Sequence, residues 1–130
     1  MLNFITGLAG KIFGNKADRD IKDVMPLVEK IKEEFPKLAS LSHDQLRQKS
    51  DVFRQRIQDH LKAETSDINS LREKIENTPE MDVHEKEELY ARIDKIEESI
   101  KEKTKEILLE ILPEAFAVMK ETAKIGRAHV

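Results

Sequence analysis

Two stretches of this sequence repeat apolar residues every seven positions, and a short breaker separates them. Leu61, Ile68 and Ile75 share one heptad line, with Leu71 on the other. After Asn77-Thr78-Pro79-Glu80, Ile93, Ile100 and Ile107 take up one line and Leu89 and Ile96 the second, until Lys103 and Glu110 interrupt it. A stripe this narrow is buried by another stripe of its own kind, and arms of similar length joined by a short turn find each other first. The pattern predicts an antiparallel helical hairpin that packs its own seam, self-sufficient over residues 43–112. Thr78 and Pro79 suit the cap and first turn of the return helix. The outer faces are dense in Glu and Lys. Glu97 and Lys101 form a favourable pair while Glu98, Glu102 and Glu106 repel, which reads as solvated surface.

The start of the first arm is written locally. In Leu41-Ser42-His43-Asp44-Gln45-Leu46, Ser42 and Gln45 make a capping box, and Leu41 and Leu46 hold the hydrophobic-staple positions. A helix is expected from His43, burying Leu46, Phe53, Ile57 and Leu61, with Arg47, Lys49, Arg54 and Arg56 pointing elsewhere.

Upstream, Leu2, Phe4, Ile5, Leu8, Ile12 and Phe13 fall mostly on one side of a helix, with Lys11, Lys16 and Arg19 following. This is a short amphipathic arm, suited to a membrane surface, a partner's groove, or its own domain. Gly7 and Gly10 each cost an isolated helix about 1 kcal/mol relative to Ala, so the arm needs a surface to be stable. Gly14-Asn15 supplies a stop. Ile21, Val24, Met25, Val28, Ile31 and Phe35 then recur at helical steps and predict a buried stripe. Pro26 within that stripe predicts a helix start at Asp23 or a kink, and Pro36 predicts an end at Phe35.

Downstream, the return arm passes through Ile107, Leu108, Leu109, Ile111 and Leu112 into Pro113, which either kinks one long helix or separates two. Pro113 and Glu114 suit a first helical turn. Ala115, Phe116, Met119 and Ala123 then predict an apolar face, with Lys120, Glu121 and Lys124 toward the other side.

The chain has 130 residues, 38% apolar and 38% charged but only 5% aromatic, a mix that favours long solvated helices over a compact globule. Its net charge of −3, with both signs interleaved, gives no nucleic-acid footprint. With no cysteine, disulfides, thiolate metal sites and cysteine nucleophiles are excluded. The longest uncharged run, residues 1–10, is far short of the roughly 20 residues of a membrane span, and it lacks the basic start of a secretory signal. A soluble, unexported protein is expected. Gly7, Gly10, Gly14 and Gly126 form no phosphate loop, and His43, His60, His84 and His129 stand far apart without ligand spacing. We therefore nominate no catalytic, cofactor-binding or metal-ligating residue.

As letters, residues 112–121, Leu-Pro-Glu-Ala-Phe-Ala-Val-Met-Lys-Glu, closely resemble the Leu-Pro-Glu-Ala-Phe-Ala-Val-x-[Arg/Lys]-Glu run near the N-terminus of the SecA family, the bacterial preprotein translocase ATPases. Met1-Leu2-Asn3-Phe4, Lys11-Ile12-Phe13-Gly14, Asp18-Arg19-Asp20-Ile21, Pro26, Leu41-Ser42 with Leu46-Arg47, and Phe53-Arg54-Gln55-Arg56-Ile57 resemble earlier pieces of that N-terminus in the same order. Two stretches depart from the family pattern. Thr6 to Gly10 lengthen the arm, and the hairpin is an insertion similar to the helical extension of Bacteroidetes-type members. After Lys124 the family continues with basic residues. Here Ile125-Gly126-Arg127-Ala128-His129-Val130 follows, which resembles a translated sequencing adapter and reads as a non-native tail, or else as a short disordered one.

The expectation is an all-α chain, a fragment of a larger α/β motor. Its parts are a membrane- and channel-binding arm over residues 1–17, N-terminal helices over 18–60, the inserted hairpin over 61–111, a helix leading toward a nucleotide-binding domain over 112–124, and the tail over 125–130. The resemblance implies a cytoplasmic protein, peripheral on the inner face of the plasma membrane, that couples ATP hydrolysis to preprotein transport through the SecYEG channel. ATP and magnesium are implied for the full-length protein, through residues beyond Lys124. This chain alone is expected to be inactive and to bind no nucleic acid. Only the arm carries over, as membrane- and partner-binding residues Leu2, Phe4, Ile5, Lys11, Ile12, Phe13 and Lys16, toward SecYEG, anionic lipid and preproteins. The competing class is a stand-alone helical-hairpin adaptor with a membrane-surface arm.

Overall fold

The computed structural model describes residues 16–128, which form three helices and no strand: α1 (Lys16–Leu38), α2 (His43–Glu76) and α3 (Val83–Ala128). They fall into two compact units, one of residues 41–112 and one of the flanking segments, up to residue 40 and from residue 113.

In the 41–112 unit, α2 begins where the capping box predicts. The Gln45 N–H donates to Ser42 Oγ at 3.2 Å, and the Ser42 N–H donates to Gln45 Oε1 at 2.9 Å. Two of the donors that a helix start leaves open are thereby satisfied. Asn77 closes the helix, its N–H reaching Glu73 O at 2.9 Å.

The reversal differs from the expectation of a helix begun by Thr78 and Pro79. Pro79 instead follows Thr78 in a tight turn closed by the Met81 N–H on Thr78 O at 3.1 Å, a position its fixed φ suits. Asp82 supplies the cap: its carboxylate accepts the His84 N–H at 3.0 Å, and its carbonyl accepts the Lys86 N–H at 3.0 Å. A carboxylate can satisfy a helix-start donor, and near the positive end of the dipole it gains more than a hydroxyl would.

The seam follows the heptads. Leu46, Ile68, Met81, Leu89, Ile93, Ile107 and Ile111 are buried, and Phe53, Ile57, Leu61, Leu71, Ile75, Ile96 and Ile100 are half-buried. Arg56 reaches Glu110 at 2.8 Å, Arg72 reaches Glu97 at 3.0 Å and Lys74 reaches Glu85 at 3.1 Å. Advance along α2 is thus matched by retreat along α3, as in an antiparallel hairpin.

In the other unit, α1 runs unbroken from Lys16 through Pro26 and Pro36. The expected start at Asp23 and end at Phe35 are therefore both corrected. A proline removes only its own N–H while its carbonyl still accepts, and here Pro36 O takes the Ala39 N–H at 3.4 Å, one turn past the expected end. Pro113 likewise sits inside α3 and does not divide it. Residues 125–128 continue that helix, so they are not the structureless tail one reading expected.

Candidate functional site

Of the residues carried over from the family, Leu2, Phe4, Ile5, Lys11, Ile12 and Phe13 lie outside the described residues. Lys16 is the first residue of α1 and is exposed. The helix that follows it does not bury the stripe expected of it. Ile21 is 56% exposed, and Val24 and Met25 are exposed beside it; partial burial begins only at Leu27 and Val28. Ile21, Val24 and Met25 stand at steps of three and four on one face, flanked by exposed Asp18, Asp20 and Lys22, with Arg19 and Asp23 toward the opposite side. An exposed apolar face on an otherwise charged helix is the composition of a helix that lies at a water–apolar boundary. Their spacing marked these three residues as buried rather than as a surface, because periodicity identifies a stripe without saying what covers it.

The segment of α3 from Pro113 presents the opposite of the expected face. Pro113, Ala117 and Glu121, spaced four apart, are buried, whereas Phe116, Met119 and Ala123 are exposed. Phe35 of α1 explains part of this. Its ring lies 4.4 Å from Lys120 Nζ and 6.0 Å from Lys124 Nζ, a pair of cation–π contacts that draws the basic side of α3 toward α1. Glu121 is 7% exposed, with Oε1 4.0 Å from Lys124 Nζ and no hydrogen-bond partner at Oε2.

The hairpin's two heptad interruptions are both answered across the seam. Glu110 pairs with Arg56, and Lys103 pairs with Glu64, whose side chain is only 14% exposed. His60, one turn before Glu64, faces Glu106 at 3.9 Å. The Lys103 ammonium, helped by Glu64's own backbone N–H, holds the Glu64 carboxyl below the usual glutamate range. A depressed folded-state value gives stability that is present above the unfolded value, near pH 4.3, and lost as pH falls through the lower folded value. Glu64→Gln is therefore expected to flatten the pH dependence of thermal unfolding between about pH 5 and 3. An acid limb as steep as the parent's would place the sensitivity in other carboxylates. Among the described residues, no three His, Asp or Glu side chains converge to hold a metal, and no helix is long and apolar enough to cross a membrane.

Comparison with known proteins agrees with the resemblance. The family model described as the SecA DEAD-like domain matches residues 9–129. The protein translocase subunit SecA of Porphyromonas gingivalis is 45% identical over 114 residues, covering 88% of this chain and 10% of that protein. The same subunit from Parabacteroides distasonis is 43% identical over 114 residues, again 88% of this chain and 10% of its own. That of Prosthecochloris aestuarii is 42% identical over 114 residues, 88% of this chain and 11% of its own. The chain thus spans about a tenth of the length of the curated relatives it matches. A match of 114 residues in a chain of 130 must also include most of the hairpin. No solved structure matches the chain.

Proposed function

Because the chain belongs to the SecA family, we propose that it is the N-terminal segment of a translocase motor that couples ATP hydrolysis to preprotein transport through the SecYEG channel. The observation that carries this reading is sustained identity of 42–45% to subunits that all bear the name protein translocase subunit SecA. The stand-alone adaptor has no support among them. ATP and magnesium belong to the whole protein, bound beyond Lys124, and this segment by itself hydrolyses nothing. Its own contribution is attachment: residues 1–17 hold the motor at the inner face of the membrane and at the channel. Residues 18–60 are N-terminal helices, 61–111 are an inserted hairpin, 112–124 are a helix leading toward the nucleotide-binding domain, and 125–130 are foreign to the protein. Extending the gene past Lys124 tests the class, with a Gly-Glu-Gly-Lys-Thr loop expected downstream; a reading frame without one would remove the motor.

The exposed face of α1 supports the attachment, because Ile21, Val24 and Met25 continue an apolar face into a described helix. Leu2, Phe4, Ile5, Leu8, Ile12 and Phe13 offer roughly 1.5 to 3 kcal/mol each if fully buried, much of it offset by ordering a glycine-containing helix. Over residues 1–22, Lys11, Lys16, Arg19 and Lys22 outnumber Asp18 and Asp20, and each basic residue near anionic lipid adds on the order of 1 kcal/mol. Binding to anionic vesicles is thus expected to be weak and reversible, loosened but not abolished by salt. Co-sedimentation of the intact chain should exceed that of a chain starting at Asp18 and of a Phe4→Glu, Phe13→Glu double variant. Equal sedimentation of all three would mean that the arm is not the membrane element.

A further inference from the structure

Along the hairpin seam the inward positions are apolar with few exceptions, and one exception is matched on both arms. On α2 the heptad line through Ile57 and Leu71 places Glu64 between them; on α3 the line through Leu89 and Ile96 places Lys103 next. Both residues are partly buried, and they pair with each other across the seam. We infer that the Glu64–Lys103 pair is a register clamp, a charged contact that selects one alignment of two arms whose apolar residues would accept others. The apolar repeats are degenerate, because a slip of one heptad, about 10 Å along the axis, again sets isoleucine and leucine against isoleucine and leucine. The charges are not degenerate. A slip in one direction turns Glu64 toward Ile96 and strands two charges in the seam; in the other it turns Glu64 toward Glu110, a like charge that would also lose Arg56. A partly buried ion pair adds little stability over a hydrophobic one, so its presence here is best accounted for by alignment. Thr65, beside Glu64, turns its hydroxyl back to Leu61 O at 2.9 Å and offers the pair no competing partner.

The absence of cysteine makes the test clean. Spin labels at Asn69→Cys and Glu98→Cys, exposed positions on opposite arms, report the alignment in the whole 130-residue chain. One narrow distance distribution is expected in the parent. A Glu64→Leu, Lys103→Leu variant should stay helical by circular dichroism yet show a second, displaced population. Glu64→Lys alone should move population toward the alignment in which position 64 meets Glu110, and adding Lys103→Glu should restore the single distribution. If the leucine variant and the single reversal both keep the parent's distribution, the turn and the apolar contacts set the register and the clamp does not exist.

Discussion

An Ile93→Ala variant is expected to lose roughly 2 to 5 kcal/mol of unfolding free energy, the cost of deleting a buried branched side chain and leaving a cavity. Ile93 is 4% exposed and lies one turn after Leu89 in the run from Leu89 to Ile107, with Ile96 and Ile100 next along the seam. A two-helix hairpin offers few neighbours that could collapse into the gap, which favours the upper part of that range. Against a total stability on the order of 5 to 15 kcal/mol, the loss should shift the urea midpoint clearly while leaving the slope unchanged. Tyr90, on the same helix but 53% exposed, is the control: Tyr90→Ala should fall within about 0.5 kcal/mol of the parent. Equal midpoints for Ile93→Ala and Tyr90→Ala would show that the seam does not carry the fold.

The second large effect separates two faces of the same helix. Ala117 has no exposed surface, so Ala117→Leu must force its added atoms into filled space, at about 1 to 3 kcal/mol. Phe116, its neighbour, is 48% exposed, and Phe116→Ala should cost no more than about 0.5 kcal/mol in this chain. Reading the residues as letters gives the reverse order, since phenylalanine looks like core and alanine like filler. Thermal unfolding of the two variants decides it. A larger loss from Phe116→Ala would mean that the face containing Phe116 and Met119 turns inward.

The legible parts of this fold are those whose causes lie within a few residues or within one repeat. Ser42 and Gln45 set the start of α2 because donor and acceptor are three residues apart. The hairpin followed from its heptads because a repeat names its own partner. The family was readable for a different reason: a run such as Leu112 to Glu121 is specific as letters, whatever its surroundings. The candidate site was legible only in part, since the arm's residues 2–13 lie outside the described structure while Lys16 stands exposed at the head of α1.

What remained hidden depends on which surfaces meet. Helical spacing placed Ile21, Val24 and Met25 on one face, but a stripe has the same period whether buried or bare. The prolines at 26, 36 and 113 each signalled a break, yet each costs a helix one donor and some crowding, which packing and neighbouring hydrogen bonds can outweigh. The face of α3 that turns inward was chosen by close packing at Ala117 and by Phe35 beneath Lys120 and Lys124, contacts between segments some eighty residues apart. Local chemistry and periodicity therefore determined that this chain is helical, where α2 begins and that two of its helices pair. Only the tertiary structure decided which faces are buried, because burial is a property of two surfaces and the sequence of one helix describes just one of them.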